Sequence, residues 1–169
     1  KVRVKEIRID GNQAYEEDTI EDLMKTSEKG FFSWLTSSGD LDTEVLRQDV
    51  ARIEAHYHDN GYARARVAEP EVAYEGDWIY ITIKIDEGPR YEMGTVEVEG
   101  DVIFAEHKLF ETISIDEEAY YSRAVIRNDV LNLTDLYADD GYARADVAPR
   151  ISYRQGADVV AIAYHITKN

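Results

Sequence analysis

The chain contains no cysteine, only three prolines and ten glycines in 169 residues, and little positive charge, with 19 Lys and Arg against 35 Asp and Glu. Each shortage excludes something. Without cysteine there is no disulfide staple, no thiolate zinc site and no cysteine nucleophile, a pattern that fits an oxidising compartment without requiring one. A formal charge of −16 leaves no basic stripe for a phosphate backbone, so nucleic acid is not an expected partner, and an anionic membrane surface is disfavoured for the same reason. No apolar run approaches the ~20 residues that span a bilayer, so direct membrane insertion of these residues is not expected either. What is present is 44% hydrophobic residues, enough to build a core. The chain opens on Lys1 inside a strand-like run without an initiator methionine and reads as a piece of something longer.

A repeat organises the sequence. Asp59-Asn60-Gly61-Tyr62-Ala63-Arg64-Ala65-Arg66-Val67-Ala68 recurs 80 positions on as Asp139-Asp140-Gly141-Tyr142-Ala143-Arg144-Ala145-Asp146-Val147-Ala148, and 12 of the 22 aligned positions from Arg47 and Arg127 are identical. The front halves match at an offset of 89, where Ile7-Arg8-Ile9-Asp10-Gly11 aligns with Val96-Glu97-Val98-Glu99-Gly100. The difference lies in a segment of the first copy near residues 30–39. Two homologous units follow, 1–88 with an extended inter-helix loop and 89–169, carrying −9 and −7.

Each unit reads as β-α-α-β-β. A short strand carrying Ile7 and Ile9 (Val96 and Val98) stops at a glycine. A short helix follows in the first unit, with Glu16-Glu17-Asp18 in its first turn and Ile20, Leu23 and Met24 as its apolar stripe. The second helix has N-caps at Asp42 and Ser122, stripes of Leu46, Val50, Ile53, Tyr57 and Ile126, Val130, Leu133, Tyr137, and C-terminal glycines at Gly61 and Gly141. Two strands close each unit, the last carrying Ile79, Ile81, Ile83 and Ile85 on one face, or Val160, Ile162, Tyr164 and Ile166. The expected fold class is α+β: two tandem units, each a three-stranded mixed sheet of order 1-3-2 with two helices on one face.

That order leaves the middle strand at an edge. Pro70 and Pro149 interrupt it in both copies, and proline cannot donate to a ladder. The residues expected to form an exposed docking edge are Tyr62, Ala63, Arg64, Ala65, Arg66 and Val67, with Tyr142, Ala143, Arg144 and Ala145 in the second copy. The bland alternative is an edge guarded by charge and proline against aggregation.

The frame strand–Gly–helix–helix–Asn/Asp-Gly-Tyr–strand–turn–strand–Glu-Gly resembles POTRA (polypeptide-transport-associated) repeats, the periplasmic modules of outer-membrane assembly factors of the BamA type. The most specific parts are Leu46, Asp49, Ile53, Tyr57, Gly61 and Tyr62 at their spacing, and the loop Lys25–Gly39, which is similar to the inter-helix loop of the third of five such repeats, making the second unit similar to the fourth. Asp101 stands where the family usually has Asn. The resemblance implies a periplasmic scaffold and chaperone-like arm of an outer-membrane protein. Its implied partners are unfolded outer-membrane β-barrel proteins, accessory assembly lipoproteins, and a membrane β-barrel elsewhere in its own chain. An arm of a two-partner secretion or TamA-like transporter, or a free-standing periplasmic protein-binding module, shares the frame. Binding by β-augmentation, a visiting strand adding to a sheet edge, suits such an arm. A second candidate surface is the loop carrying Phe31, Phe32, Trp34 and Leu35, whose aromatics either cap the unit's own core or anchor a partner. Gly88, Pro89 and Tyr91 resemble the joint between repeats.

Enzymatic chemistry finds little support. His56 and His58, two apart on a helix, face different directions, and the repeat puts Leu136 and Ala138 there. The acidic runs occupy helix starts, and there is no phosphate-cradling glycine loop or nucleophile elbow. Asp49 and Asp129 recur and are expected to pair structurally with an Arg or with orphan amides. No catalytic residue, metal or cofactor is expected.

Overall fold

Four isoleucines at alternate positions cannot all face water, and they set the centre of the first sheet. In the computed structural model, which describes residues 3–26 and 41–169, Ile79, Ile81, Ile83 and Ile85 are buried on one face of β4 (Trp78–Asp86). On one side β4 pairs in parallel with β1 (Arg3–Asp10). On the other it pairs antiparallel with two short segments, β2 (Arg66–Val67) and β3 (Glu71–Glu75). Two helices, α1 (Glu17–Asp22) and α2 (Thr43–Asp59), supply Ile20, Leu46, Ile53 and Tyr57 to the core. The second sheet repeats this plan. Its strand β7 (Val159–Thr167) lies between β5 (Glu92–Gly100), parallel, and β6 (Asp146–Tyr153), antiparallel. The helices here are α3 (Glu106–Thr112) and α4 (Arg123–Asp139), with one 3-10 turn at Ile115–Glu117 between them. The α+β class and the order with the last strand central are as expected, but the first unit's middle strand is split in two.

The chain divides into one unit of residues 1–57 and 64–88 and another of 58–63 and 89–169. Within each, local signals act as the sequence implies. The Asp42 carboxylate accepts from the amides of Glu44 and Val45, and the Ser122 hydroxyl from that of Val125. At the end of α4 the Gly141 amide donates to Ala138 O and that of Tyr142 to Tyr137 O, a complete Schellman cap with Gly141 at φ 96°. Gly100 has a different reason to be glycine. Its φ is 88°, and a Cβ there would lie 2.3 Å from Ile166 O, because the strand turns away against the neighbouring carbonyl.

One helix stripe differs from expectation. The inner positions of α2 and α4 are Asp49 and Asp129, fully buried, while Val50 and Val130 are half-buried. Asp129 accepts from the amides of Ser114 (2.7 Å) and Ile115 (3.0 Å) and from the Tyr164 hydroxyl (2.7 Å). Asp49 accepts from the amides of Lys25 (2.7 Å) and Thr26 (3.0 Å), from the Thr26 hydroxyl, and from Arg52. The carboxylate thus fastens the segment between the helices to the second helix.

Three outcomes follow. Asp129→Ala strands two amides and a hydroxyl in the core and should cost about 3 kcal/mol in urea unfolding, with Asp129→Asn losing less because it keeps one acceptor. Gly100→Ala should be more destabilising than Gly156→Ala, since Gly156 shares the positive φ (80°) but has open space around it. Burial, then the hydrogen bond to Asp129, pushes the Tyr164 hydroxyl far above its ordinary pKa of 10.0. The unfolded chain therefore ionises first: this contribution is complete below pH ~10 and erodes above it. The stability difference between the wild type and Tyr164→Phe should narrow as pH rises past that point.

Candidate partner-binding edges

The middle strand of each sheet is an edge: among the described residues neither β3 nor β6 has a second strand neighbour. Which backbone groups it turns away from the sheet follows from alternation in an antiparallel ladder. In the second unit the Arg154 amide donates to Val159 O, so even-numbered residues of β6 spend their amides on β7. Val147, Pro149, Ile151 and Tyr153 turn their backbone outward. Pro149 has no amide to lose there, which is why an unbroken strand tolerates it. Their side chains share the core face with their partners Ile166, Tyr164, Ile162 and Val160. Val147 is buried, but Ile151 and Tyr153 are 38% and 37% exposed. Tyr153 leans edge-on against the buried Tyr91, with ring centroids 5.0 Å apart.

In the first unit the turn at Gly76-Asp77 closes β3 onto β4 through the pair Glu75 and Trp78. A two-residue hairpin closes on a hydrogen-bonded pair, so Glu71, Ala73 and Glu75 face β4 and the backbone of Val72 and Tyr74 turns outward. These two are the register equivalents of Ile151 and Tyr153, opposite Ile81 and Ile79, and are likewise exposed. Further back, the Val67 amide donates to the Glu54 carboxylate at 3.1 Å. That part of the edge is already occupied. Thr134, at the repeat position of Glu54, bonds the Val130 carbonyl of its own helix instead.

The residues singled out from the sequence therefore divide. Arg66 and Val67 lie in a strand, as expected. Tyr62, Ala63, Arg64 and Ala65 do not, and neither do Tyr142, Ala143, Arg144 and Ala145, which form the turn between helix and strand. The correction has a simple cause. The Tyr142 amide is committed to the helix cap and that of Ala145 to the Tyr142 carbonyl, so no ladder can begin before Asp146. Ala65 is buried, whereas Arg64 and Arg144 are exposed. What the sequence reading passed over is the outer half of the edge, although the alternation Val72/Tyr74 and Ile151/Tyr153 was there to be read. Phe31, Phe32, Trp34 and Leu35 lie outside the described residues. Gly88 is exposed with φ 63°, Pro89 is exposed, and Tyr91 is buried in the second unit's core. Among the described residues no group of three or more His, Asp or Glu is placed to hold a metal, and the His56 ring packs against Tyr15, centroids 4.7 Å apart.

Comparison with known proteins agrees with the repeat. The family model for POTRA, described as a surface antigen variable number repeat, matches twice, over residues 2–88 and 91–169. An outer membrane protein assembly factor BamA from Nitratidesulfovibrio vulgaris is 34% identical over 172 residues, covering 99% of this chain and 22% of that protein. This chain thus spans about a fifth of its length. Among solved structures, Haemophilus influenzae BamA POTRA3-5 superposes with a TM-score of 0.82 at 18% identity, covering 99% of this chain and 66% of that one. Haemophilus ducreyi BamA lacking POTRA domains 1-3 gives 0.74 at 22% identity, covering 99% and 29%. At these identities the structures speak for the fold. The periplasmic location expected from the resemblance stands with this assignment, and no helix among the described residues is long and apolar enough to cross a membrane. With both matches together covering nearly every residue and the same strand–helix–helix–strand–strand plan in each, the chain belongs to the POTRA family as a tandem pair of repeats.

Proposed function

We propose that this chain is a scaffold and chaperone-like arm of an outer-membrane protein assembly factor, and that it receives extended polypeptide by β-augmentation on the outer edges of its middle strands. Its clients are unfolded outer-membrane β-barrel segments and accessory lipoproteins, and its contribution is binding, with no catalytic step. One observation supports this reading above the rest. At equivalent places in both sheets an edge turns backbone groups outward beside two half-exposed apolar side chains, Ile151 and Tyr153 in one and Val72 and Tyr74 in the other.

The energetics suit reception and release. Each added ladder bond is worth roughly 0.5–1.5 kcal/mol net. A client strand gains a few of them and loses its own conformational freedom. The apolar pair adds burial that depends on shape and little on sequence. The balance is weak, sequence-tolerant binding, which favours passing a chain onward over storing it.

The test is a proline that spares the fold. Ile151→Pro removes an outward amide and no ladder bond, so the unfolding midpoint should stay near that of the wild type. Crosslinking or titration with an unfolded barrel segment should fall several-fold. Unchanged binding by a folded Ile151→Pro variant would overturn the reading.

A further inference from the structure

The other edge of the second sheet is also open, and it is built differently. Asp101 donates its amide to Ile166 O, so Glu97 and Glu99 spend theirs on β7, and Val96 and Val98 turn their backbone away from the sheet. In the first unit the same edge is closed. The Ile9 amide, equivalent in register to Val98, donates to the Glu17 carboxylate at 3.2 Å, and Ile7 and Ile9 are 3% and 6% exposed. Glu106 occupies the repeat position of Glu17 but makes no such bond. Val96 and Val98 are only half-buried. A groove of about 340 Å³ between β5 and α3 is lined by both valines together with Leu109, Phe110 and Val102, the last 43% exposed. Glu106 lies on the groove side, while Glu97 and Glu99, alternating with Val96 and Val98, project from the opposite face of the same edge, Glu99 3.5 Å from His165 Nδ1.

We infer that the β5 edge is a second docking site, for an extended segment that places apolar side chains on the face of the β5–α3 groove and lysine or arginine on the opposite face, beside Glu97 and Glu99. The backbone row and the groove together require an extended occupant with alternating side chains. The carboxylates along the edge decide its charge. Three carboxylates on a unit of charge −7 attract a basic strand and repel a second copy of this chain, whose own β5 would bring the same glutamates into register. The shorter valines, where the first unit has isoleucines, leave room for the incoming side chain. This site is independent of the β3 and β6 edges proposed above.

The experiment uses the whole 169-residue chain carrying Ile151→Pro, so that loss of the β6 edge cannot be mistaken for loss of this one. The probes are two capped ten-residue peptides, one alternating valine with lysine and one alternating valine with glutamate, followed by amide chemical shifts. The lysine peptide should move Val96, Val98, Val102, Leu109 and Phe110, and the glutamate peptide should not. Replacing Glu97, Glu99 and Glu106 together by Gln should weaken the lysine peptide by about tenfold, less at high salt. Val98→Pro, which removes an outward amide and one valine of the groove but no ladder bond, should abolish the shifts of Val96, Val102, Leu109 and Phe110. Three results would each overturn the inference: shifts confined to other edges, equal binding of both peptides, or groove shifts that follow protein concentration without peptide and so report self-association.

Discussion

A buried carboxylate in the middle of the second helix is the constraint around which each unit is assembled. A two-layer unit of this size has a weak point between its helices, where a short connection must cross the core boundary with its amides unpaired. Burying such amides without acceptors costs a large share of the stability such a unit has to spare. Asp129 meets them from the inside, taking the amides of Ser114 and Ile115 and the Tyr164 hydroxyl from the central strand. One side chain thereby ties connection, helix and sheet together. Asp49 does the same for Lys25 and Thr26, with Arg52 as counter-charge where the other unit has a tyrosine. An apolar residue of equal size would fill the space and leave the connection unsatisfied.

With connection, helices and central strand held, the sheet edges are free to differ between units. Two glutamates close backbone positions in the first, Glu17 on Ile9 and Glu54 on Val67. In the second, Thr134 replaces Glu54 and turns back on its own helix, and Glu106 stands at the groove rim. A side-chain acceptor on an outward amide is a local substitute for a partner strand, and it discourages pairing there. The first unit is therefore open mainly at β3, the second along β6 and at β5. Two domains of one fold present different backbone surfaces through two side chains, with no change in architecture.

Much of this was legible in the sequence because local rules and tertiary packing agree. The Ile79–Ile85 alternation, the caps at Asp42 and Ser122, and the Gly141 terminus each demand one structure on their own, and the structure obeys them. The burial of Asp49 and Asp129 was half legible: recurrence and the expectation of a structural partner were there, but helical periodicity alone assigns the inward position to the apolar Val50 and Val130. Desolvation normally keeps Asp outside, and only the demand of a distant segment's amide donors for an acceptor reverses it. The edge was misplaced for a related reason. Tyr62–Ala65 and Tyr142–Ala145 alternate like strands, but local bonds take amides there first, Tyr142 in the helix cap and Ala63 and Ala145 in the turns behind it, and these are backbone patterns that side-chain alternation does not record.

The split of the first unit's middle strand comes down to the parity of one residue. The Ala68 amide donates to Lys84 O, so even positions face β4 there, and an unbroken ladder would aim position 70 at β4 as well. Position 70 is proline, with no amide to give. The register then slips by one: Val67 pairs with Ile85, but Glu71 pairs with Thr82, and from Glu71 on it is the odd residues that face β4. In the second unit the proline sits one place earlier in the repeat, at 149, where the amide would have pointed outward, and β6 runs unbroken over Asp146–Tyr153. Displacing proline by one residue thus decides whether an edge strand is continuous. The slip preserves what matters for docking: Val72 and Tyr74 still arrive opposite Ile81 and Ile79, as Ile151 and Tyr153 do opposite Ile162 and Val160. The exposed apolar pair is held in register by the central strand, so the edge can break behind it without losing it.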